Sequence, residues 1–532
     1  MCDAASLHAR ARSDLQHLFD QAHRRRVGQQ VEVAHENEPI SMSELLDSFR
    51  RVCRDTPSRT LIVARSEGRA LTARGIWDEY VSTRETFAGL GLAPGSVVLS
   101  LAGNRSSFAA VLLACFDLGV TLMPVDRSTA MPEVTTLATA YGACAVVAPE
   151  GVHIRLPHTT TPLPGGLVVE LLLEQPPRGR YPDTCLLKLT SGSSGLPKAA
   201  RAAERHLMAD VRQITAAMDI RPEDVQLAVI PLSHMYGLGN LLLPMLLQGT
   251  AMVLREAFAP TQLVQDIIDD RVRIWPGVPF MFDALVDQVP GGALPPQFGT
   301  CISAGARLEF RTVDAFERHF HRKIHSFYGS TETGGITFDD SAAVKSPVPV
   351  GRPLGDVHIT LRPIEHADLP QGSGRVHVCS SAVSHGYVDE TQPGEGFVDG
   401  GYLTGDLGFF DADGDLVLSG RMSSFVNVAG RKVQPDEIER VLRTMPGVAE
   451  VSVVGAPDDR RGQVLVACIV RADTGLGLRP MAVRTFLAER VAPHKIPRDV
   501  LFIDEIPRTD RGKVDRQALD ALARSARQGS GQ

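Results

Sequence analysis

From about residue 40 to about Arg421 the chain alternates short apolar, β-branched segments with amphipathic helical ones. Val97 to Leu101 reads as a strand, Arg105 to Leu118 as a helix, and Thr121 to Pro124 as the next strand. Such alternation predicts α/β architecture with largely parallel sheets. After Arg421 the segments shorten: a strand Phe425 to Val428, a helix Pro435 to Met445, strands near Val448 to Val454 and Gln463 to Val470, and a helix near Met481 to Arg490. The helix at Pro435 opens with proline and acids, as helix starts prefer. Its Ile438, Val441, Leu442 and Met445 share one face. The expected division is an N-terminal extension over 1–40 with a helix near Leu15 to Arg25, a large domain over 41–421, and a small α+β domain over 422–532.

Composition narrows the partners. In 532 residues, 43% hydrophobic and 22% charged residues suit a soluble globular chain, and the net charge of −7 argues against nucleic acid. The eight cysteines are scattered with no C-x-x-C pair, the pattern of reduced thiols in a cytoplasmic protein rather than of a disulfide frame or a zinc site. The best candidate for a membrane span, Leu241 to Leu254, is interrupted by Pro244, Gln248 and Gly249, so no integral membrane segment is expected. The N-terminus has no signal-peptide core, Arg24-Arg25-Arg26 reads as a solvated helix end, and no internal repeat is visible. Asp411-Ala412-Asp413-Gly414-Asp415 lies between apolar runs and reads as a hairpin turn, its acidic spacing being too short for a calcium loop.

The stretch Leu189-Thr190-Ser191-Gly192-Ser193-Ser194-Gly195-Leu196-Pro197-Lys198 follows an apolar segment, Cys185 to Leu189. Glycines let a backbone turn its N–H groups inward and hydroxyls add donors, so the loop suits phosphate oxygens. Its order differs from G-x-x-x-x-G-K-[ST], because Pro197 precedes the lysine and no Ser or Thr follows it. Alone it reads as a phosphate cradle or as a Gly/Ser linker.

Further motifs follow in order: Pro231-Leu232-Ser233-His234-Met235-Tyr236-Gly237, Ser303-Ala304-Gly305-Ala306-Arg307, Tyr328-Gly329-Ser330-Thr331-Glu332-Thr333-Gly334-Gly335, and Tyr402-Leu403-Thr404-Gly405-Asp406. Gly420-Arg421, Gly430-Arg431-Lys432-Val433 and Pro507-Arg508-Thr509-Asp510-Arg511-Gly512-Lys513 complete the series. From about residue 40 to about residue 520 this series resembles the acyl-adenylate-forming superfamily of acyl- and aryl-CoA synthetases, peptide-synthetase adenylation domains and firefly-type luciferases. The resemblance implies a large N-terminal domain of stacked α/β subdomains with a small mobile C-terminal domain. It also implies a reaction in which an acid and ATP give acyl-AMP and pyrophosphate, followed by acyl transfer to a thiol.

The implied roles fall on these residues. Thr190, Ser191, Gly192, Ser193, Ser194, Gly195 and Lys198 would hold the pyrophosphate; the family usually has threonine at one or both of the last two hydroxyl places, and serine preserves the donor. Glu332 would bind Mg²⁺, a hard ion that takes carboxylate and phosphate oxygens together. Thr331 would donate to the α-phosphate. Asp406 would accept both ribose hydroxyls, as an anion with several lone pairs can. Arg421 would add a ribose or phosphate contact, and Tyr328 and Gly305 would sandwich the adenine. Lys513 would bridge the attacking carboxylate and the α-phosphate. Ser423 stands at the hinge, where the family usually has aspartate or lysine. Asn427, Gly430 and Lys432 would face the thiol tunnel.

His234 matches a position near the substrate carboxylate. Amino-acid-activating relatives carry an aspartate in that motif, and Ser233-His234 has none, so a neutral or aromatic acid is expected. Tyr236, Val278, Ala304, Gly329, Gly335 and Ile336 would line the acyl pocket. The small residues among them suggest an open floor for an aryl or a medium-to-long acyl group. The expected ligands are ATP, Mg²⁺, a carboxylic acid, and coenzyme A or the phosphopantetheine of a carrier protein. An acyl- or aryl-CoA ligase, a stand-alone enzyme that loads a carrier protein, and a non-catalytic nucleotide-binding relative remain the alternatives. The last would be expected to lack Lys513, Glu332 or Asp406, and all three are present.

Overall fold

Val97–Ser100, Thr121–Pro124 and Ala145–Pro149 are strands buried at every position in the computed structural model of the chain. Strands apolar on both faces belong inside parallel sheets covered by helices, and here Val98 pairs in parallel with both Leu122 and Ala145. The structure describes residues 43–190, 197–292, 294–364, 370–388, 396–422, 426–428, 431–458, 462–472, 477–508 and 514–529.

Three sheets build the large domain. A seven-stranded sheet runs in the order His158–Leu163, Leu167–Leu172, Ala145–Pro149, Val97–Ser100, Thr121–Pro124, Leu186–Leu189, Ala199–Ala202. A nine-stranded sheet has a parallel centre of Thr60–Ala64, Ala251–Leu254, Val225–Ala228, Ile274–Gly277, Thr300–Ser303 and Ile324–Ser330. Gly334–Phe338 then turns back antiparallel to Ile324–Ser330. The third sheet is five-stranded and antiparallel throughout: His358–Arg362, Gly374–Cys379, Gly401–Phe410, Gly396–Val398 and Leu416–Arg421. The nine-stranded sheet is therefore largely parallel as expected, while the seven-stranded one is parallel only at its centre and antiparallel toward both edges. The third comes from hairpins such as the one around Asp411 to Asp415, where Lys345 Nζ lies 2.6 Å from Asp413 Oδ2 and 2.7 Å from Asp415 Oδ2.

Helix Phe108–Asp117 is apolar all round and lies in the main core, beside Leu45, Phe49, Trp275, Phe282 and Phe316. The interrupted run Leu241 to Leu254 folds as a wide turn, a helix Leu243–Gln248 and a strand Ala251–Leu254. Among the described residues no helix is long and apolar enough to cross a membrane. All seven described cysteines are free.

The small C-terminal domain has its own core of Val433, Ile438, Leu442, Val453, Leu465, Ile469, Val483 and Leu487. Helix Pro435–Arg443 covers a sheet whose long hairpin is Val448–Asp458 with Gly462–Arg471. Two further elements appear here: a parallel edge strand Asp499–Phe502 and a C-terminal helix Arg516–Gly529. The helix expected near Leu15 to Arg25 lies outside the described residues.

Candidate active site

The motif residues gather at the C-terminal ends of parallel strands, where open α/β sheets bind ligands. Strands Thr300–Ser303 and Ile324–Ser330 are parallel neighbours with Ser303 opposite Ser326. Gly305 and Tyr328 each lie two residues beyond that pair. Gly305 turns with φ +78°, and a side chain there would project toward Val278, whose Cγ1 is 3.7 Å from the Cβ position. Only glycine adopts this turn without strain while leaving backbone exposed to a flat ligand.

Tyr328 reaches across to the antiparallel sheet. Its hydroxyl donates to Asp406 Oδ2 at 2.7 Å, and Arg421 Nε donates to Asp406 Oδ1 at 2.6 Å. Asp406 and Arg421 are opposite each other on paired strands, so the sheet register sets this ion pair. Burial first, and then the adjacent Asp406 charge, push the Tyr328 hydroxyl well above its usual range, which keeps it a donor. A carboxylate has about four acceptor positions. Two are used here, so two remain for a vicinal diol.

Strands Leu186–Leu189 and Ala199–Ala202 form a hairpin closed by the Thr190 N–H on Lys198 O at 2.8 Å. Its tip holds Ser191, Gly192, Ser193, Ser194 and Gly195, which lie outside the described residues. Lys198 Nζ sits 5.3 Å from the ring centre of Tyr387. The Tyr387 hydroxyl donates to Glu332 Oε1 at 2.6 Å and lies 2.9 Å from the Tyr402 hydroxyl. Tyr387 therefore joins the base of the Gly/Ser loop to Glu332. Burial, followed by the Glu332 charge, raises both tyrosine hydroxyls, so they remain protonated donors to the carboxylate. Glu332 is buried, and its carboxylate is the hard oxygen donor that a cation such as Mg²⁺ takes, with the Lys188 and Arg421 charges also acting on it. Ser384, whose N–H donates to Glu332 O at 2.9 Å, has a buried hydroxyl with no partner among the described residues. Thr331 is half-buried beside Glu332, in a turn where Ser330 Oγ accepts the Glu332 and Thr333 N–H groups at 3.2 Å.

His234 Nε2 lies 2.9 Å from Asp126 Oδ2. Asp126 follows strand Thr121–Pro124. The motif reading missed it, although a polar residue just past a parallel strand's C-terminal end is itself a signal. Tyr387 was missed because no local pattern marks it, and Tyr402 entered only as part of a motif.

The acyl-pocket residues divide. The Tyr236 hydroxyl is shared between Gly277 O and Ile302 O, both at 3.1 Å, so it braces the strand ends and fixes the ring. Ala304, whose N–H donates to Gly277 O, stands beside Val278 at the same strand ends. Gly329 and Gly335 are each hemmed in on the side where a side chain would project. A Cβ on Gly329 would lie 2.6 Å from Gly334 O, and one on Gly335 would lie 2.8 Å from Leu354 Cδ1 and 2.9 Å from Phe327 Cε2. Their smallness serves hairpin packing, and Ile336 beside them is fully buried.

Asn427 and Lys432 are opposite each other on the paired strands Val426–Val428 and Arg431–Val433. Ser423, Gly430 and Lys513 lie outside the described residues. Pairing of Arg508 with Val514 closes the loop that holds Lys513.

A family model described as AMP-binding enzyme matches residues 49–388, and one described as AMP-binding enzyme C-terminal domain matches residues 437–513. The chain is 30% identical over 463 residues to an indoleacetate–CoA ligase of Aromatoleum aromaticum, covering 81% of this chain and 89% of that protein. It is 31% identical over 488 residues to a fatty acid–[acyl-carrier-protein] ligase of Streptomyces coeruleorubidus, covering 85% of this chain and 92% of that protein. The fold matches ATP-bound MatB from Rhodopseudomonas palustris with a TM-score of 0.78 at 23% identity, over 91% of this chain and 100% of that one.

Proposed function

The chain belongs to the AMP-binding enzyme family, and on that premise we propose that it joins a carboxylic acid to a thiol through an acyl-adenylate. The observation that carries this reading is Asp406, held by Tyr328 and Arg421 with acceptor capacity to spare for a ribose diol. In the first step a carboxylate oxygen bonds to the α-phosphorus of ATP and the bond to pyrophosphate breaks. In the second a thiolate bonds to the acyl carbon and AMP leaves.

Both reactants of the first step are anions, so the site must offset charge while excluding water. Thr190, the loop Ser191 to Gly195 and Lys198 hold the departing phosphates. A Mg²⁺ ion on Glu332 would supply the cationic charge between phosphate oxygens. Thr331 donates to the α-phosphate, Gly305 and Tyr328 flank the adenine, and Lys513 reaches the reacting oxygens from the small domain. His234, oriented by Asp126, stands near the substrate carboxylate. Ser423 serves as the hinge by which the small domain turns, and Asn427, Gly430 and Lys432 then line the thiol path.

The preferred acid is aryl or a medium-to-long acyl chain, supported by the absence of aspartate at Ser233-His234 and by the likeness to an indoleacetate–CoA ligase. Val278, Ala304 and Tyr236 form its nearest wall. The preferred thiol is coenzyme A. A carrier protein is the second reading, favoured by the likeness to a carrier-protein ligase. ATP–pyrophosphate exchange over aromatic, fatty and amino acids tests the first step, and mass spectrometry of products with coenzyme A or holo-carrier protein tests the second. Aryl acids should drive exchange and yield a coenzyme A thioester. Exchange confined to amino acids would overturn the acid assignment, and none with any acid would overturn the activity.

A further inference from the structure

At the far edge of the seven-stranded sheet, two imidazoles meet around one buried carboxylate. Strand Leu167–Leu172 carries Glu170, which is fully buried. His153 precedes the edge strand His158–Leu163, and His158 begins it. His153 Nδ1 lies 2.6 Å and His158 Nε2 3.2 Å from Glu170 Oε1. Glu170 Oε2 accepts the Ile154 N–H at 2.9 Å.

The tautomer of His158 is what makes this group informative. Its Nδ1 is 2.8 Å from Leu156 O, a carbonyl that can only accept, so that nitrogen carries a proton. A neutral ring then turns the Nε2 lone pair toward a carboxylate oxygen. Two lone-pair atoms at 3.2 Å repel unless a proton or a metal cation lies between them. A carbonyl holding Nδ1–H so that Nε2 is the ligand atom is the arrangement that orients metal-bound histidine.

We propose that His153, His158 and Glu170 form a binding site for a divalent ion of the Zn²⁺ class. Two imidazoles and one carboxylate match the donor set and number of three-ligand zinc sites. Their ligand atoms all lie within 4.8 Å of one another. A tetrahedral zinc ion wants them about 3.3 Å apart. His158 and Glu170 meet this closely, held by the ladder in which His158 opposes Leu172 and Thr160 opposes Glu170. His153, with its side chain 56% exposed, supplies the small outward swing. A metal would also answer the buried charge of Glu170, which needs a cation close by. Four strand spacings, about 19 Å, separate this hairpin from the base of the Gly/Ser loop, so the ion would clip the outer hairpin together rather than take part in chemistry.

The test uses the full chain, freed of affinity tag and stripped with chelator. Titration with Co²⁺ should give one saturable equivalent with visible absorption of a tetrahedral site, and Zn²⁺ should displace it and raise the melting temperature. His158→Ala and His153→Ala should each weaken binding at least 10-fold, whereas Asp413→Asn in the acidic hairpin should leave it unchanged. His153 is exposed, so its variant folds if the chain does. No saturable equivalent, or an affinity unchanged in both histidine variants, would overturn the site and leave His158 an imidazolium paired with Glu170.

Discussion

Asp406 holds Tyr328 on one oxygen and Arg421 on the other, and the two partners differ in environment. Tyr328 is buried, while the Arg421 side chain is 68% exposed. Asp406→Ala should therefore destabilise mainly through Tyr328, whose buried hydroxyl loses its acceptor, at a cost of about 1–3 kcal/mol. Exchange activity should fall roughly 100-fold or more, as when one preorganised polar group is removed from a reacting site. Tyr328→Phe keeps the carboxylate and should lose under about 10-fold. Thermal melts and exchange rates at saturating ATP check both. A second buried group is Lys188, on the strand leading to the Gly/Ser loop, with Asp210 among its nearest charges. Burial lowers Lys188 to about 8 from 10.5 and raises Asp210 to about 6 from 3.8, and Asp210 Oδ1 accepts the Gly335 N–H at 2.8 Å. Between pH 3.8 and about 6 the folded Asp210 binds more protons than the unfolded one, so stability falls as pH rises there. Between about 8 and 10.5 the unfolded Lys188 binds more, so stability rises with pH there. The double variant Lys188→Met/Asp210→Asn should flatten both slopes in urea titrations, because both titrating groups are gone. Asp406 was legible because it belongs to a contiguous motif. Lys188 and Asp210 were not, since their partners are distant in sequence, although a lysine inside an apolar strand is a local signal.

At the scale of elements, the hairpin of Ile324–Ser330 and Gly334–Phe338 shows that small residues also answer to packing. A sequence gives the size of a side chain but not what fills the space it leaves. Gly334, at φ +70°, presses its missing side chain against the Asp210 carboxylate, and Gly335 faces Leu354 and Phe327. Gly335→Ala should cost about 1–3 kcal/mol by overpacking and should not shift selectivity between short and long acids. Urea unfolding and a chain-length series of acids separate these outcomes, and a shift in selectivity without loss of stability would put Gly335 in the pocket wall. Thr121–Pro124 and the neighbouring strand that begins at Val97 were legible because burial on both faces makes the whole run apolar. Asp499–Phe502 was not, because it is an edge strand with one buried residue. The helix Arg516–Gly529 was hidden by its charge: it buries Leu519 and Ala523 while Arg527 pairs with Asp458 at 2.7 Å and Asp499 at 3.1 Å.

Across the whole molecule, the small domain meets the large one through polar contacts. Arg307 Nη1 lies 3.7 Å from Asp436 Oδ2, Arg443 Nη1 lies 3.4 Å from Glu309 Oε1, and Arg311 Nη1 donates to Ala449 O at 3.0 Å. Gln434 packs against Gly420, where a side chain would collide with it. Partly exposed ion pairs contribute about 0–1 kcal/mol each and weaken in salt, so breaking these costs little. The sequence pointed to two domains through a change of style near Arg421, but how firmly they adhere depends on these pairs between the domains, which no local pattern encodes. Weak adhesion is what the proposed two-step reaction needs, because Lys513 must leave before a thiol can enter. Two variants should then split the half-reactions. Lys513→Ala should slow adenylate formation on the order of 10²–10³-fold, yet leave thioester formation from supplied acyl-AMP within about threefold, since that step needs no charge at the α-phosphate. Gly430→Leu should do the reverse by filling the thiol path. Rapid-quench assays started either from acid plus ATP or from synthetic acyl-AMP plus coenzyme A measure each step alone. Equal losses in both assays for both variants would mean that one fixed arrangement of the domains serves both steps, and the low cost of parting them would then have no part in the reaction.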